Sequence, residues 1–184
     1  MPDFSIFYSA APYHIISYGI LLGSQTFQTF IGGITAFKVL PRPQFAALQS
    51  ALFPIYFSMQ TALPVLLAVT FPAEQTAIGM TASSMSGVLE PANGLRVLAP
   101  LMTIFVTGFT NAYVLGPATA KCMKERKQQE TRDGKKSYDP PPHSKEMQAL
   151  NEKFAFLHGT SSLVNIVAWA ATLLYGFYLG ERVS

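Results

Sequence analysis

The stretch FAFLHGTSSLVNIVAWAATLLYGFYLG, Phe154–Gly180, contains no Asp, Glu, Lys or Arg. A helix needs about 20 apolar residues to cross a hydrocarbon core roughly 30 Å thick, and this stretch exceeds that length. Three other long windows are also free of these charges: Phe4–Phe37, Pro43–Ala73 and Val97–Ala120. The sequence therefore predicts an all-α integral membrane protein, folded as a four-helix bundle.

The whole chain, residues 1–184, is predicted to form a single transmembrane domain. Charged residues make up only 12% of it and hydrophobic residues 49%, about half the charge of an ordinary soluble domain. The predicted spans are residues 13–39, 44–70, 97–121 and 154–180. Residues 122–153 are predicted to form one long basic extramembrane loop. Within it, residues 121–129 are expected to continue the third helix, residues 130–144, with Asp133-Gly134 and three consecutive prolines, to be flexible, and residues 145–156 to be helical and to run into the fourth span.

The charges also predict an orientation. Eleven of the thirteen Lys and Arg lie in two connections, 38–42 and 121–153, which four spans would bring to the same side. The positive-inside rule puts these connections on the cytoplasmic side, or on the matrix side of a mitochondrial inner membrane. Both termini are then expected on the opposite side.

The same basic connections determine the expected partners. Lys and Arg beside a membrane attract anionic headgroups, so we expect contact with membrane lipids, anionic ones among them. A membrane-protein partner or a second copy of this chain is also expected. Nucleic acid is excluded as a partner because the basic residues flank membrane spans.

Polar residues occur at helical spacing on each predicted span, and we call them the polar seam. Because side chains in hydrocarbon lack water as a partner, they should face one another inside the bundle. The candidate functional or packing residues are Gln25, Gln28, Arg42, Gln49, Asn111, His158, Ser162 and Asn165. Other members of the seam are His14, Ser17, Tyr56, Gln60, Thr103, Thr107, Trp169 and Thr172.

Two interpretations of the polar seam compete. In the first, its hydrogen bonds hold the helices together, helped by the GxxxG pair Gly19 and Gly23. In the second, it lines a path for a small polar solute. Proton relays and ion-coupled transporters usually place an ionisable side chain inside the membrane, and no predicted span contains one well inside it. This absence favours the structural interpretation.

No constellation of residues indicates catalysis or a bound metal. The sequence contains neither a metalloprotease HExxH motif nor a phosphate-binding glycine loop. His14 and His158 should lie at opposite ends of the bundle, too far apart to share one ion. Cys122, Met123 and His158, all on the basic side, are the one conceivable soft-metal set. We therefore predict no enzyme activity, no cofactor and no metal site.

Three blocks of sequence carry a resemblance to a known family. They are Leu40-Pro41-Arg42-Pro43-Gln44-Phe45, Asn111 followed by Gly116-Pro117-Ala118-Thr119, and His158-Gly159-Thr160-Ser161-Ser162-Leu163-Val164-Asn165. With them the chain, over about residues 13–180, resembles the transmembrane protein 205-like domain family.

The resemblance implies a small four-span eukaryotic membrane protein of unestablished biochemical function. It brings no catalytic residues and does not distinguish an endomembrane, plasma-membrane or mitochondrial location. It marks as positions to test Arg42, Gln49, Pro54, Asn111, Pro117, His158, Gly159, Ser162 and Asn165. Our hypothesis is that Arg42 and His158 frame a polar mouth on the basic side.

The leading functional interpretation is a non-enzymatic multi-pass membrane protein that is a structural or accessory component of a membrane complex. The alternative is a small transporter, or a transport accessory, that moves a polar solute or a metal species along the polar seam. A membrane enzyme ranks third because no catalytic set is present.

Overall fold

The computed structural model describes residues 7–73, 75–76, 79–81 and 83–182, and this part of the chain is almost entirely helical. Its α-helices are α1 (Ala11–Thr26), α2 (Gly33–Val39), α3 (Arg42–Val69), α4 (Ser84–Val88), α5 (Ala99–Thr110), α6 (Gly116–Asp133) and α7 (Lys145–Glu181). Between α3 and α4, β1 (Gln75–Thr76) and β2 (Gly79–Met80) form a short antiparallel pair.

Three π-helical segments join successive helices into longer ones. Phe27–Gly32 connects α1 to α2, Gly94–Leu98 precedes α5, and Asn111–Leu115 connects α5 to α6. A 3₁₀ turn, Pro91–Asn93, begins the third of the long helices. The chain is therefore helical without interruption over 11–39 and again over 91–133.

Three helices of the described residues are long and apolar enough to cross a membrane: Arg42–Val69, Pro91–Asp133 and Lys145–Glu181. The prediction of a helical membrane protein is confirmed in this coarse form. The helix over 11–39 is not among the three, so the predicted count of four spans is not reached. Polar side chains lower the mean hydropathy of this first helix, among them His14, Gln25 and Gln28.

The long helices run antiparallel, as contacts near their ends demonstrate. His14, near the start of α1, bonds to Thr70 at the end of α3 and to Tyr175 near the end of α7. Arg96 pairs with Glu181 at 2.9 Å at this same end. We call this end of the helices the terminal end. The prediction about the position of the termini concerns residues 1–6 and 183–184, which lie outside the described residues.

An apolar cluster fills the interior at the terminal end. Its fully buried members include Leu21, Leu67 and Tyr175, and Phe71 is 1% exposed. Ile104 of α5 packs into the same cluster. In water, burial of each large apolar side chain contributes roughly 1.5–3 kcal/mol to stability. Inside a membrane the contribution comes instead from van der Waals contacts between closely packed side chains.

A proline follows the π-helical segment Asn111–Leu115. Because Pro117 has no N–H, it cannot donate to the carbonyl four residues before it. The N–H of Gly116 instead donates to the carbonyl of Asn111, five residues back. A Cβ on Gly116 would lie 2.7 Å from that oxygen, so glycine at this position is what permits the wider turn.

The connection over 122–153 is a helical hairpin rather than a long loop, and the helical parts predicted at its two ends are confirmed. α6 continues to Asp133, α7 begins at Lys145, and residues 134–144 connect them. Gly134 ends α6 with a left-handed φ of 64°, and the Ser144 hydroxyl caps α7 by accepting the N–H of Met147. We call residues 122–153 the hairpin and their side of the molecule the hairpin end.

Internal bonds explain why the hairpin is ordered. The guanidinium of Arg126 lies 4.4 Å from the centre of the Phe154 ring and donates to Asn151 at 3.0 Å. The carboxylate of Glu130, only 8% exposed, accepts the N–H and the hydroxyl of Ser137. The sequence indicated a flexible connection over 130–144 because Glu130 and Ser137 meet only in the tertiary fold.

Candidate functional site

One buried amide joins three of the long helices. The Oδ1 of Asn165, on α7, accepts the hydroxyl of Tyr56 at 2.7 Å and the Nε2 of Gln60 at 2.8 Å, both from α3. Its Nδ2 donates to the hydroxyl of Thr29 at 2.8 Å, in the first π-helical segment. The three hydrogen bonds of the Asn165 side chain thus all go to neighbouring helices.

Further polar contacts surround Asn165. One turn along α7, the indole N–H of Trp169 donates to the Thr26 hydroxyl at 3.1 Å. Gln28 donates to the Oε1 of Gln49 at 3.0 Å. Such bonds between membrane helices contribute about 0.6 kcal/mol each on average. These contacts therefore help to hold α1, α3 and α7 together.

Five buried side-chain atoms of the described residues have no hydrogen-bond partner. They are Nε2 and Oε1 of Gln25, Nε2 of Gln49, Oε1 of Gln60 and Oδ1 of Asn111. Leaving such a group unpaired in the interior costs about 1–3 kcal/mol, and each one in a native structure calls for an explanation. We call Gln25, Gln60, Asn111 and Asn165 the amide cluster; Gln49 lies eleven residues before Gln60 on α3, about 16 Å along the helix, and is not part of it.

The irregular backbone of the first and third long helices lies at these amides. Asn111 begins one π-helical segment, and Gln28 and Thr29 lie in another. π-helical turns in α-helices occur frequently at functional sites. Close packing of α5 on α3 also occurs here, because a Cβ on Gly108 would lie 2.8 Å from the backbone carbonyl carbon of Gln60.

At the terminal end both ring nitrogens of His14 are hydrogen-bonded. His14 Nε2 lies 2.8 Å from the Tyr175 hydroxyl, and Nδ1 lies 3.1 Å from the Thr70 hydroxyl. The Thr70 hydroxyl donates to the carbonyl of Leu66, so it accepts from Nδ1–H, and Nε2 accepts from Tyr175. This arrangement fits a neutral histidine with a structural role.

The structure brings part of the predicted candidate set together. Gln25, Gln49, Asn111 and Asn165 are buried, and Gln28 is partly buried. Ser162, predicted to face inward, is exposed. Gln60 and Tyr56, which belong to the polar seam but not to the candidate set, bond directly to Asn165.

Two hydroxyls at the site are absent from the sequence-based set. Thr26 and Thr29 lie one and four positions after Gln25. That spacing is a signal for Thr29, because residues four apart share a helix face. Threonines also occur on lipid-facing surfaces, so the spacing alone does not select these two.

Arg42 and His158, the residues of the hypothetical polar mouth, are exposed at the hairpin end. The guanidinium of Arg42 lies 3.8 Å from the centre of the Phe37 ring. His158 instead stacks on Phe154, with ring centroids 5.7 Å apart. The two residues therefore pack on different rings.

Two further features of the sequence can be located in the structure: Cys122 of the conceivable soft-metal set, and the GxxxG pair Gly19 and Gly23. Cys122 is fully buried, with its Sγ 3.6 Å from the carbonyl of Leu150. Within the described ranges, no group of three or more His, Cys, Asp or Glu could hold a metal ion. A Cβ on Gly19 or Gly23 would meet nothing within 4 Å, so this pair does not form the expected helix contact.

Comparisons with known proteins correct the family suggested by the sequence. The family model described as "Domain of unknown function (DUF4149)" matches residues 16–128, a range that includes Gln25, Gln49, Gln60 and Asn111. The matching family is thus DUF4149 and not the transmembrane protein 205-like family.

A curated relative supports the same assignment. Xanthocillin biosynthesis cluster protein D of Aspergillus fumigatus is 32% identical over 172 residues, which cover 94% of this chain and 90% of that protein. No solved structure matches the chain. On the family match and this full-length similarity, the chain belongs to the DUF4149 family.

Proposed function

We propose that this protein is a small membrane transporter, or a transport accessory, that binds a small polar solute at the amide cluster. The observation that carries the proposal is the set of four unpartnered atoms on Gln25, Gln60 and Asn111. They come from α1, α3 and the π-helical segment Asn111–Leu115. A solute between these helices would supply the missing hydrogen bonds.

The unpartnered atoms favour this function over a purely structural one. Amides that serve only to hold helices together should bond to each other, because each unpaired atom costs about 1–3 kcal/mol. Asn165 has that structural character, with three bonds to neighbouring helices. A structural or accessory component therefore remains the second candidate, and Asn165 is the residue that supports it.

The proposal includes a fourth span. The helix over 11–39 is as long as the span Arg42–Val69, and its side chains His14 and Ser17 are buried against the rest of the protein. Satisfying polar groups inside the protein is what allows a helix to lie in a bilayer. The hairpin end, with the basic residues, would then face the cytoplasm or matrix.

The same site supports a non-enzymatic role. The amide cluster and its partners consist of amides, hydroxyls and an indole, which are weak acids and bases near neutral pH. The relative is named for a biosynthesis cluster, and a membrane protein that handles a small metabolite would fit such a setting.

Uptake into vesicles tests the proposed function. The purified protein is reconstituted, and uptake of a panel of labelled small polar metabolites is compared with uptake by protein-free vesicles. We expect uptake of at least one of them, loss of that uptake in Gln60→Met and Asn111→Leu, and retention in Ser162→Leu. Ser162 is the matched control because it lies on α7 and is exposed. Uptake equal to protein-free vesicles throughout the panel would refute the proposal.

A further inference from the structure

We infer that four basic side chains at the hairpin end, Lys38, Arg42, Lys121 and Lys124, bind the headgroups of anionic phospholipids. We call these four residues the cationic border, and all of them are exposed. Their binding of lipid does not depend on the proposed solute site, because they lie on the outer surface of the protein and the amide cluster lies inside it.

The cationic border differs from most of the basic residues in the hairpin, which are bonded within the protein. Lys127 and Lys136 pair with Glu130, and Lys153 pairs with Glu125 at 3.0 Å. In the part of the chain that the structure describes, no side chain of the cationic border forms an ion pair or a hydrogen bond. The N–H donors of these four side chains are therefore available to a group outside the protein.

Arg42 is held in place by an aromatic ring rather than by an acceptor. Its guanidinium lies over the Phe37 ring, 3.8 Å from the ring centre. Phe37 itself packs edge-on against Phe45, with ring centroids 5.3 Å apart. The planar fork of N–H donors in a guanidinium matches the oxygens of a phosphate group. A lipid phosphate is therefore a ligand that this side chain is suited to bind.

The members of the cationic border lie at similar depth along the bundle. The close contact of Gly108 with Gln60 fixes α5 against α3. Counted from that contact at about 1.5 Å per residue, Arg42 lies about 27 Å along α3. In the same direction along α5 and α6, Lys121 and Lys124 lie about 20 and 24 Å away. Because a bilayer surface surrounds the whole protein, these cations need to share a depth and not a pocket.

This depth corresponds to the edge of the apolar spans. Lys38 and Lys121 each follow a charge-free window directly, and Arg42 directly precedes one. Lys38 is also only four positions from Arg42, across the turn between α2 and α3. At the edge of the hydrocarbon core, long basic side chains keep their stems on apolar surface and extend their charges to the headgroups.

The acids of the hairpin leave the cationic border positively charged. Glu125 is already paired with Lys153, and Glu152, near the same depth, is one carboxylate against four cations. The other acids lie at least about 9 Å farther toward the tip of the hairpin: Glu130, Asp133, Asp139 and Glu146. Charges in water that far apart are largely screened, because the Debye length is about 8 Å at physiological ionic strength.

Titration of the purified protein with single lipids in a neutral detergent tests the inference. Phosphatidylserine carries a net negative charge at neutral pH, whereas phosphatidylcholine is zwitterionic. A Lys or Arg near an anionic surface contributes about fivefold in affinity, so we expect phosphatidylserine to bind at least tenfold more tightly than phosphatidylcholine. The double variant Lys121→Gln with Lys124→Gln should bind phosphatidylserine at least fivefold more weakly, and Lys121→Arg with Lys124→Arg should bind it as the original protein does.

The matched control is the double variant Arg132→Gln with Lys145→Gln. Both residues are exposed and, among the described residues, form no ion pair. Each lies eight positions from a residue at the depth of the cationic border, Lys124 or Lys153, which is about 12 Å farther toward the hairpin tip. This variant should bind phosphatidylserine within twofold of the original affinity, and both double variants should unfold at the original temperature.

Three outcomes would overturn the inference. Equal affinity for the two lipids would mean that the cationic border does not select negative charge. An equal loss of phosphatidylserine affinity in the two glutamine double variants would mean that only the total charge matters, and not its depth. Displacement of the lipid by inorganic phosphate at the same concentration would mean that the ligand is a free anion and not a lipid headgroup.

Discussion

The amide oxygen of Asn165 accepts the hydroxyl of Tyr56 at 2.7 Å, although 109 positions separate the two residues in the chain. The same oxygen accepts Gln60, and the same side chain donates to Thr29. The bonds of Asn165 define one part of the site, in which polar groups hold the helices together. The unpartnered atoms of its neighbours define the other part, at which we propose that a solute binds.

Replacement of Asn165 by Leu should destabilise the protein. The change removes three hydrogen bonds and leaves the buried groups of Tyr56 and Gln60 without their acceptor, at a cost of about 1–3 kcal/mol. Unfolding in mixed detergent, followed by circular dichroism, measures the loss. The control is Ser162→Leu, which should leave the free energy of unfolding within about 0.5 kcal/mol. Equal stability of the two variants would contradict the role given to Asn165.

Gly108→Ala should disturb the packing of α5 on α3. The new Cβ would lie 2.8 Å from the backbone of Gln60, so the helices must separate, at a cost of about 1–3 kcal/mol. Gly159→Ala is the matched control, since its Cβ meets nothing within 4 Å. Alanine there should stabilise α7 by roughly 0.5–1 kcal/mol. Thermal unfolding of both variants checks the prediction, and an unchanged Gly108→Ala variant would count against the close contact.

Glu130→Ala should loosen the hairpin connection. The carboxylate accepts two bonds from Ser137 and lies 3.5 Å from the Lys127 amine. Without it, a loss of about 1 kcal/mol would raise the population of the opened connection roughly fivefold. Trypsin should then cleave after Lys135 or Lys136 about fivefold faster.

The matched control for this change is Glu152→Ala, which removes an exposed carboxylate of the hairpin instead of the buried one and should leave cleavage at the original rate. If both variants were cleaved equally fast, the order of the hairpin would not depend on Glu130.

Much of the interior could be predicted from the sequence because polar side chains in charge-free windows are expected to face the protein interior rather than lipid. Gln49, Asn111 and Asn165 are buried as their spacing indicates. Ser162 is not, although it lies three positions before Asn165. Three helical steps of 100° leave these two residues about 60° apart, and the buried face continues through Ala168, Thr172 and Tyr175 instead. Ser162 lies past the edge of that face.

Other features depend on contacts that no local pattern specifies. Gly19 and Gly23 form a GxxxG motif, which permits close helix packing. The motif alone does not determine whether a neighbouring helix packs on that face. The charged residues of the hairpin are typical of a solvated segment. The contact between Glu130 and Ser137 depends on the tertiary fold and has no local sequence signal. The π-helical turn at Asn111 requires both Pro117 and the close approach of Gly116 to a carbonyl.

The most direct test of the account is uptake of a polar solute by Gln25→Leu, measured beside its free energy of unfolding. Both amide atoms of Gln25 are unpartnered, so leucine of similar size should raise stability by about 1 kcal/mol. If the amide cluster binds the solute, the same variant should take up none of it while remaining folded. Full uptake by a folded Gln25→Leu variant would contradict the account.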